Sequence, residues 1–114
     1  MRTLLATIAT AAILSGCGSS EPPVAGSMTA RDLCQTTGYL IRQKLGSNIK
    51  TLDTSCTAAS QGGNNVLINS TYRTPINDRT IRYYAVGTVN GDRLRIEKIK
   101  TELDSEYIPF QNFP

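Results

Sequence analysis

The chain has 114 residues, 39% of them hydrophobic, with five tyrosines, two phenylalanines and no tryptophan; that is material for one small domain with a modest core and leaves no room for a second. Twelve basic against nine acidic residues give a net charge of +3, or +2 without Arg2, too mild a balance to point to nucleic acid or to a strongly acidic partner. Histidine is absent, which removes the commonest general base and the commonest metal ligand, so a catalytic triad or an ordinary zinc site is not expected.

The first 16 residues carry one positive charge at Arg2, an apolar run TLLATIATAAIL and the small residues Ser15 and Gly16. This is the three-part layout of a secretory signal, and the run is too short for the roughly 20 residues of a spanning helix. Leu14-Ser15-Gly16-Cys17 resembles the lipobox of bacterial lipoproteins. The resemblance implies a diacylglyceryl group on the Cys17 sulfur, cleavage after Gly16 and acylation of the new amino terminus with a fatty acid such as palmitate. Each buried methylene contributes about 0.8 kcal/mol, and two or more chains anchor stably where one does not. Gly18, not aspartate, follows the cysteine; in lipoproteins of enteric-type Gram-negative bacteria that pattern accompanies transport to the outer membrane, so the resemblance implies its periplasmic face. Residues 17–28, CGSSEPPVAGSM, hold too little apolar content to pack and read as a flexible tether of about 17 Å mean span.

The folded domain is expected over 29–114. Thr29-Ala30-Arg31-Asp32 places a hydroxyl at a helix cap and a carboxylate three residues on. Leu33, Cys34, Thr37, Ile41 and Leu45 then form an apolar arc, with Leu40 at its margin, while Arg31, Gln35, Arg42 and Gln43 lie away from it. Gly46 is placed to end the helix, and Gly38, on the apolar side, is explained by close approach to a sheet.

Beyond Ile49 the pattern turns to short extended runs. Residues 49–57 read as a first strand, Gln61-Gly62-Gly63-Asn64 as a turn, 65–73 as a second strand with Val66, Ile68 and Tyr72 on one face, and 75–79 as a loop. Asn90-Gly91 is the strongest hairpin signal and joins strands 80–89 and 92–102. With those two residues as the turn, Val89 faces Asp92, Gly87 faces Leu94 and Ala85 faces Ile96; Arg82, Tyr84, Val86 and Thr88 share the other face with Arg93, Arg95, Glu97 and Ile99. The tail holds Tyr107, Phe110 and Phe113 with two prolines, and packing of residues 107–110 on the domain is favoured over a mobile tail. The fold class expected is α+β, one helix packed on a four-stranded antiparallel meander. In element order it resembles cystatin-type and β-lactamase-inhibitor-protein-type layouts, without a motif of either.

With Cys17 taken by lipid, Cys34 and Cys56 remain as an even pair in an oxidising compartment. A disulfide between them closes a loop of about 22 residues and contributes roughly 3 kcal/mol on the chain-entropy estimate; no CxxC spacing points to a redox thiol. Asp53, Asp78, Asp92, Glu97, Glu102, Asp104 and Glu106 show no dense ligand pattern, so no metal and no cofactor is expected. Arg73, Arg82, Tyr84, Val86, Arg93 and Arg95 form the candidate partner-binding face, because arginine and tyrosine together are typical of protein contact sites; the competing account is a solvated sheet face whose arginine stems cover apolar neighbours. The function expected is a non-enzymatic protein-interaction module anchored in the envelope, with no nucleic-acid partner. The alternatives are an inhibitor of a periplasmic or foreign hydrolase and, behind it, a small-ligand-binding or enzymatic domain, which a deep polar pocket would favour.

Overall fold

The structure is a computed structural model that describes residues 21–52 and 55–114. The signal segment, the lipobox with Cys17, residues 18–20 and Asp53 lie outside the described residues.

Order begins earlier than the sequence pattern indicates. Two short strands, β1 (Pro23–Ala25) and β2 (Met28–Thr29), pair antiparallel, within what reads as tether. Ala25 and Met28 are buried in the main core, and the Ser27 N–H donates to the Gly91 carbonyl at 2.8 Å. The segment has too little apolar content to declare itself; what orders it is the surface it packs on.

Thr29 caps α1 (Ala30–Leu45) through a reciprocal box: the Asp32 N–H donates to Thr29 Oγ1 at 3.1 Å and the Thr29 N–H to Asp32 Oδ2 at 3.0 Å. Leu33, Thr37, Ile41 and Leu45 are the buried face of the helix, and Gly46 closes its end. Thr37 Oγ1 is buried with no hydrogen-bond partner among the described residues.

After a single 3-10 turn at Gly46–Asn48, the chain forms β3 (Thr51–Leu52), β4 (Thr57–Ser60), β5 (Asn65–Arg73), β6 (Thr80–Asn90), β7 (Arg93–Thr101) and β8 (Ile108–Pro109). These make one antiparallel sheet in the order β3-β5-β6-β7-β8, with β4 also paired to β5 on the β3 edge. The fold is therefore α+β with one helix on an antiparallel sheet, but the sheet has six strands where the sequence pattern indicates four. Two changes account for the difference. The expected first strand is split: β3 pairs opposite Arg73 and Tyr72, β4 opposite Asn69 to Val66, and Ser70 and Thr71 lie between the two ladders. The tail adds β8 beside β7, pairing Pro109 with Lys98 and Ile108 with Ile99. Beyond it Phe113 is buried and its ring stacks on Phe110 at 6.2 Å.

The β6–β7 hairpin also departs from the expected register. Asn90 pairs with Arg93, Val89 with Leu94 and Gly87 with Ile96, so the two-residue turn is Gly91-Asp92. Gly91 has φ +66° and Asn90 is not in the positive-φ region, which is the arrangement of a turn with glycine at its first central position rather than the Asn-Gly type. Further along, the register slips between Val86 and Gly87: Val86 pairs with Lys98 and Ala85 with Ile99, leaving Glu97 as an extra residue. Gly87 permits the close approach there, since a β-carbon on it would lie 2.4 Å from the Arg95 carbonyl oxygen. Beyond the bulge the faces exchange. Ile99, expected on the outer face, is fully buried, and Lys98 and Lys100 point outward in its place.

Two substitutions separate the observed register from the expected one. Ile99→Ala should lower unfolding free energy by about 2–4 kcal/mol in urea titration, whereas Lys98→Ala should stay within about 0.5 kcal/mol; the reverse order would refute the bulge. Thr37→Val removes a hydroxyl buried without a partner, and should leave stability unchanged or raise it by about 1 kcal/mol.

Candidate functional site

Strand periodicity sets which side chains leave the core. Odd residues of β6 from Ile81 to Val89 are buried against α1, and the even ones, half-buried, form the outer face. Arg82, Tyr84 and Val86 thus lie outward, flanked on β5 by Thr71, Asn69 and Leu67 and on β7 by Lys98 and Lys100. Arg93 and Arg95 are exposed on the same face, opposite Asn90 and Thr88. The six candidate residues share one side of the sheet without forming one compact patch. Arg73 stands opposite Thr80 and Arg93 opposite Asn90, ten residues of strand apart, or about 33 Å.

The centre of this face is more ordered, and more basic, than the sequence pattern indicates. Arg82 Nη1 donates to Asn69 Oδ1 at 2.7 Å, fixing that guanidinium along the sheet. Lys100 Nζ lies 6.0 Å from the Tyr84 ring centroid and 5.3 Å from that of Tyr107, and Lys98 Nζ also lies 5.3 Å from the Tyr107 centroid. Aromatic rings and ammonium groups alternate in this row, and each contact holds a lysine stem over apolar surface with its head in water. Lys98, Lys100 and Tyr107 were not recognisable as members of the face, because the bulge that turns the lysines outward has no signature in the strand alternation.

Arg73 has a different role. Its Nη2 and the Lys50 Nζ, the latter at 3.2 Å, both pair with the Asp78 carboxylate. The hydrogen bond from Lys50, helped by the charges of Arg73 and Lys50, holds this carboxyl below the usual aspartate value against an opposing desolvation. The pairs brace the loop between β5 and β6, in which the Thr74 N–H donates to the Arg79 carbonyl at 2.8 Å and Thr74 Oγ1 to the Ile76 carbonyl at 2.7 Å. Asn77 and Asp78 both have positive φ, a conformation these two residue types tolerate better than other non-glycines. The loop presents Ile76, 73% exposed, at its tip.

On the helix side of the sheet, between α1 and the β3–β4 edge, lies a cleft of about 650 Å³, within the size range of small-ligand sites. Cys34 of α1 and Cys56, just ahead of β4, form a disulfide with Cα atoms 6.0 Å apart, and both line the cleft with Arg31, Gln35, Tyr39 and Arg42. Gly38 lets the helix approach the sheet edge closely, as its place on the apolar side predicts: a β-carbon there would meet Leu52 Cδ1 at 3.3 Å. The polar stripe of α1 was legible in the sequence; that it faces a cleft was not, because the cleft joins residues from distant segments, from Glu21 to Tyr83. Among the described residues no helix is long and apolar enough to cross a membrane.

Comparison with protein-family models, curated proteins and solved structures finds no match for this chain.

The electrostatics of the braced loop are open to measurement. In an NMR titration the Asp78 carboxyl should titrate below 3.8, its ordinary value, and Lys50→Gln should move it back up. Because the folded-state value is lowered, the stability lost in Lys50→Gln is present at neutral pH and vanishes as pH falls through the lowered value. An Asp78 midpoint at or above 3.8 in the unsubstituted protein would refute the pairing.

Proposed function

We propose that this chain is a lipid-anchored protein of the bacterial envelope, attached through Cys17 at the periplasmic face of the outer membrane, and that its domain is a non-enzymatic protein-interaction module. The observation that carries the reading is the outer face of the sheet. Its centre sets the half-buried Leu67, Tyr84 and Val86 beside the ammonium groups of Lys98 and Lys100, and Arg93 and Arg95 lie exposed toward its hairpin end. Half-buried aromatic and aliphatic groups interspersed with lysine and flanked by arginine fit a partner protein whose contact surface combines apolar groups with carboxylates. The anchor rests on the Leu14-Ser15-Gly16-Cys17 motif and the apolar run before it.

A second reading, an inhibitor of a cell-wall or foreign hydrolase, is favoured by the loop at residues 74–79. A braced loop loses little conformational freedom on binding, and an exposed isoleucine at its tip is shaped to enter a pocket. Ile76→Ser would then abolish inhibition in a panel of hydrolases while leaving the melting temperature unchanged.

Three measurements test the main reading. Metabolic labelling with palmitate should mark the protein and fail to mark Cys17→Ser; labelling of both would refute the anchor. A photo-crosslinker at position 86 should capture one discrete partner in cells. Against that partner, purified, the double change Arg93→Glu and Arg95→Glu should weaken binding at least tenfold, or about 1.4 kcal/mol, chiefly by slowing association. Unchanged affinity would remove the assignment from this face.

A further inference from the structure

We propose that the cleft between α1 and the β3–β4 edge is a second binding site, on the opposite side of the sheet from the basic face, and that it takes a short extended peptide with a carboxylate at each end. Arg31 and Arg42 both line it. Neither has an ion-pair partner among the described residues, whose ion pairs all fall on Asp78. Among the described lining residues the two guanidiniums outnumber Glu21, the one carboxylate there, an excess of one positive charge, and a guanidinium fork is shaped for a carboxylate.

Spacing sets the length of the ligand. Arg31 and Arg42 are eleven residues apart on one stripe of the helix, about 16 Å along its axis, a distance an extended peptide covers in about five residues. Between them stand Gln35, which can both donate to and accept from a peptide backbone, and Tyr39. The Tyr39 ring is 61% exposed and its hydroxyl accepts a hydrogen bond from Gln43 Nε2 at 2.9 Å. The far wall is covalently fixed, because Cys56 is bonded to Cys34 of the helix, so the groove is formed before the ligand arrives. A fatty acyl chain fits this arrangement poorly: it has one charged end, and its apolar end would be set against the second guanidinium.

The test is isothermal titration calorimetry on detergent-solubilised full-length protein with acetyl-Asp-Ala-Leu-Ala-Glu bearing a free C-terminus. One-to-one binding is expected, weakened at least fivefold by Arg31→Ala and by Arg42→Ala, weakened by salt, and lost with the peptide acetyl-Asn-Ala-Leu-Ala-Gln-amide. Both arginines are exposed on the helix, and an unchanged thermal melt for each variant confirms that the fold is intact. The variant carrying Arg93→Glu and Arg95→Glu should bind the peptide normally, which keeps this result separate from any at the outer face. The proposal is overturned if the acidic peptide shows no saturable binding up to about 1 mM, if the neutral peptide binds equally, or if the arginine variants retain full affinity. It is also overturned if sodium laurate binds in an Arg42-dependent manner and the peptide does not, in which case the cleft is an acyl site.

Discussion

Glu97 is one residue more than the β6–β7 ladder can pair, and which groups reach the core depends on it. Side chains alternate across a strand with period two, so a single unpaired residue exchanges the two faces for the remainder of the strand. Upstream of the bulge Leu94 and Ile96 point toward α1; downstream it is Ile99 and Thr101 that do so. An unbroken ladder would keep Lys98 and Lys100 on the inner side and turn Ile99 out to water. Burying two unpaired ammonium groups costs several kcal/mol each, more than a core of this size withstands. The bulge and the core are therefore one requirement. The row of Tyr84, Lys100, Tyr107 and Lys98 on the outer face is its other product.

The position of α1 over the sheet is fixed near both ends by different means. Toward its N-terminus the Cys34–Cys56 disulfide ties it to the start of β4. At its C-terminus the tail returns across β7: Lys44 Nζ donates to the Gln111 carbonyl at 3.1 Å and lies 5.2 Å from the Phe110 ring centroid, while Phe113 enters the core. A helix free to settle would close against the sheet along its whole length. It is held instead by a crosslink at one end and an aromatic wedge at the other, with the cleft beside it. A domain with so few large apolar residues gains from such ties, because each removes freedom from the unfolded chain or adds burial that the helix and sheet alone do not supply.

The parts of this structure legible in the sequence are those that local chemistry decides. The Thr29–Asp32 box, the buried arc of Leu33, Thr37, Ile41 and Leu45, the limits of β5 and the loop after it follow from capping, period and turn residues close in sequence. The pairing of Cys34 with Cys56 follows from counting once the lipobox resemblance sets Cys17 aside. What stayed hidden depends on contacts between distant segments. The β1–β2 hairpin is ordered by Gly91, more than sixty residues away; β8 exists because β7 offers it an edge; and the Gly91-Asp92 turn displaces the more favourable Asn90-Gly91 because the whole ladder, not the dipeptide, sets the register. The outer face was legible in its identity as a face, through the alternation of β6, and illegible in its composition, which the bulge determines.

The early start of the ordered chain changes the geometry that a lipid on Cys17 would impose. A tether running to residue 28 would leave the domain free to tumble above the bilayer. With Glu21 lining the cleft, only three residues lie between Cys17 and the described part of the chain, a reach of about 14 Å from Cys17 to Glu21 even when fully extended. Glu21 lines the cleft on the helix side of the sheet, so under the lipid-anchor reading the cleft is held near the membrane surface. The outer basic face, on the reverse of the sheet, is then directed away from that point of attachment. A partner of the outer face would be met from the periplasmic space, whereas a ligand of the cleft would be taken from the narrow layer beside the bilayer. Two sites on opposite sides of one thin sheet would in this way sample different surroundings, with the short link, rather than any hinge in the fold, keeping them apart.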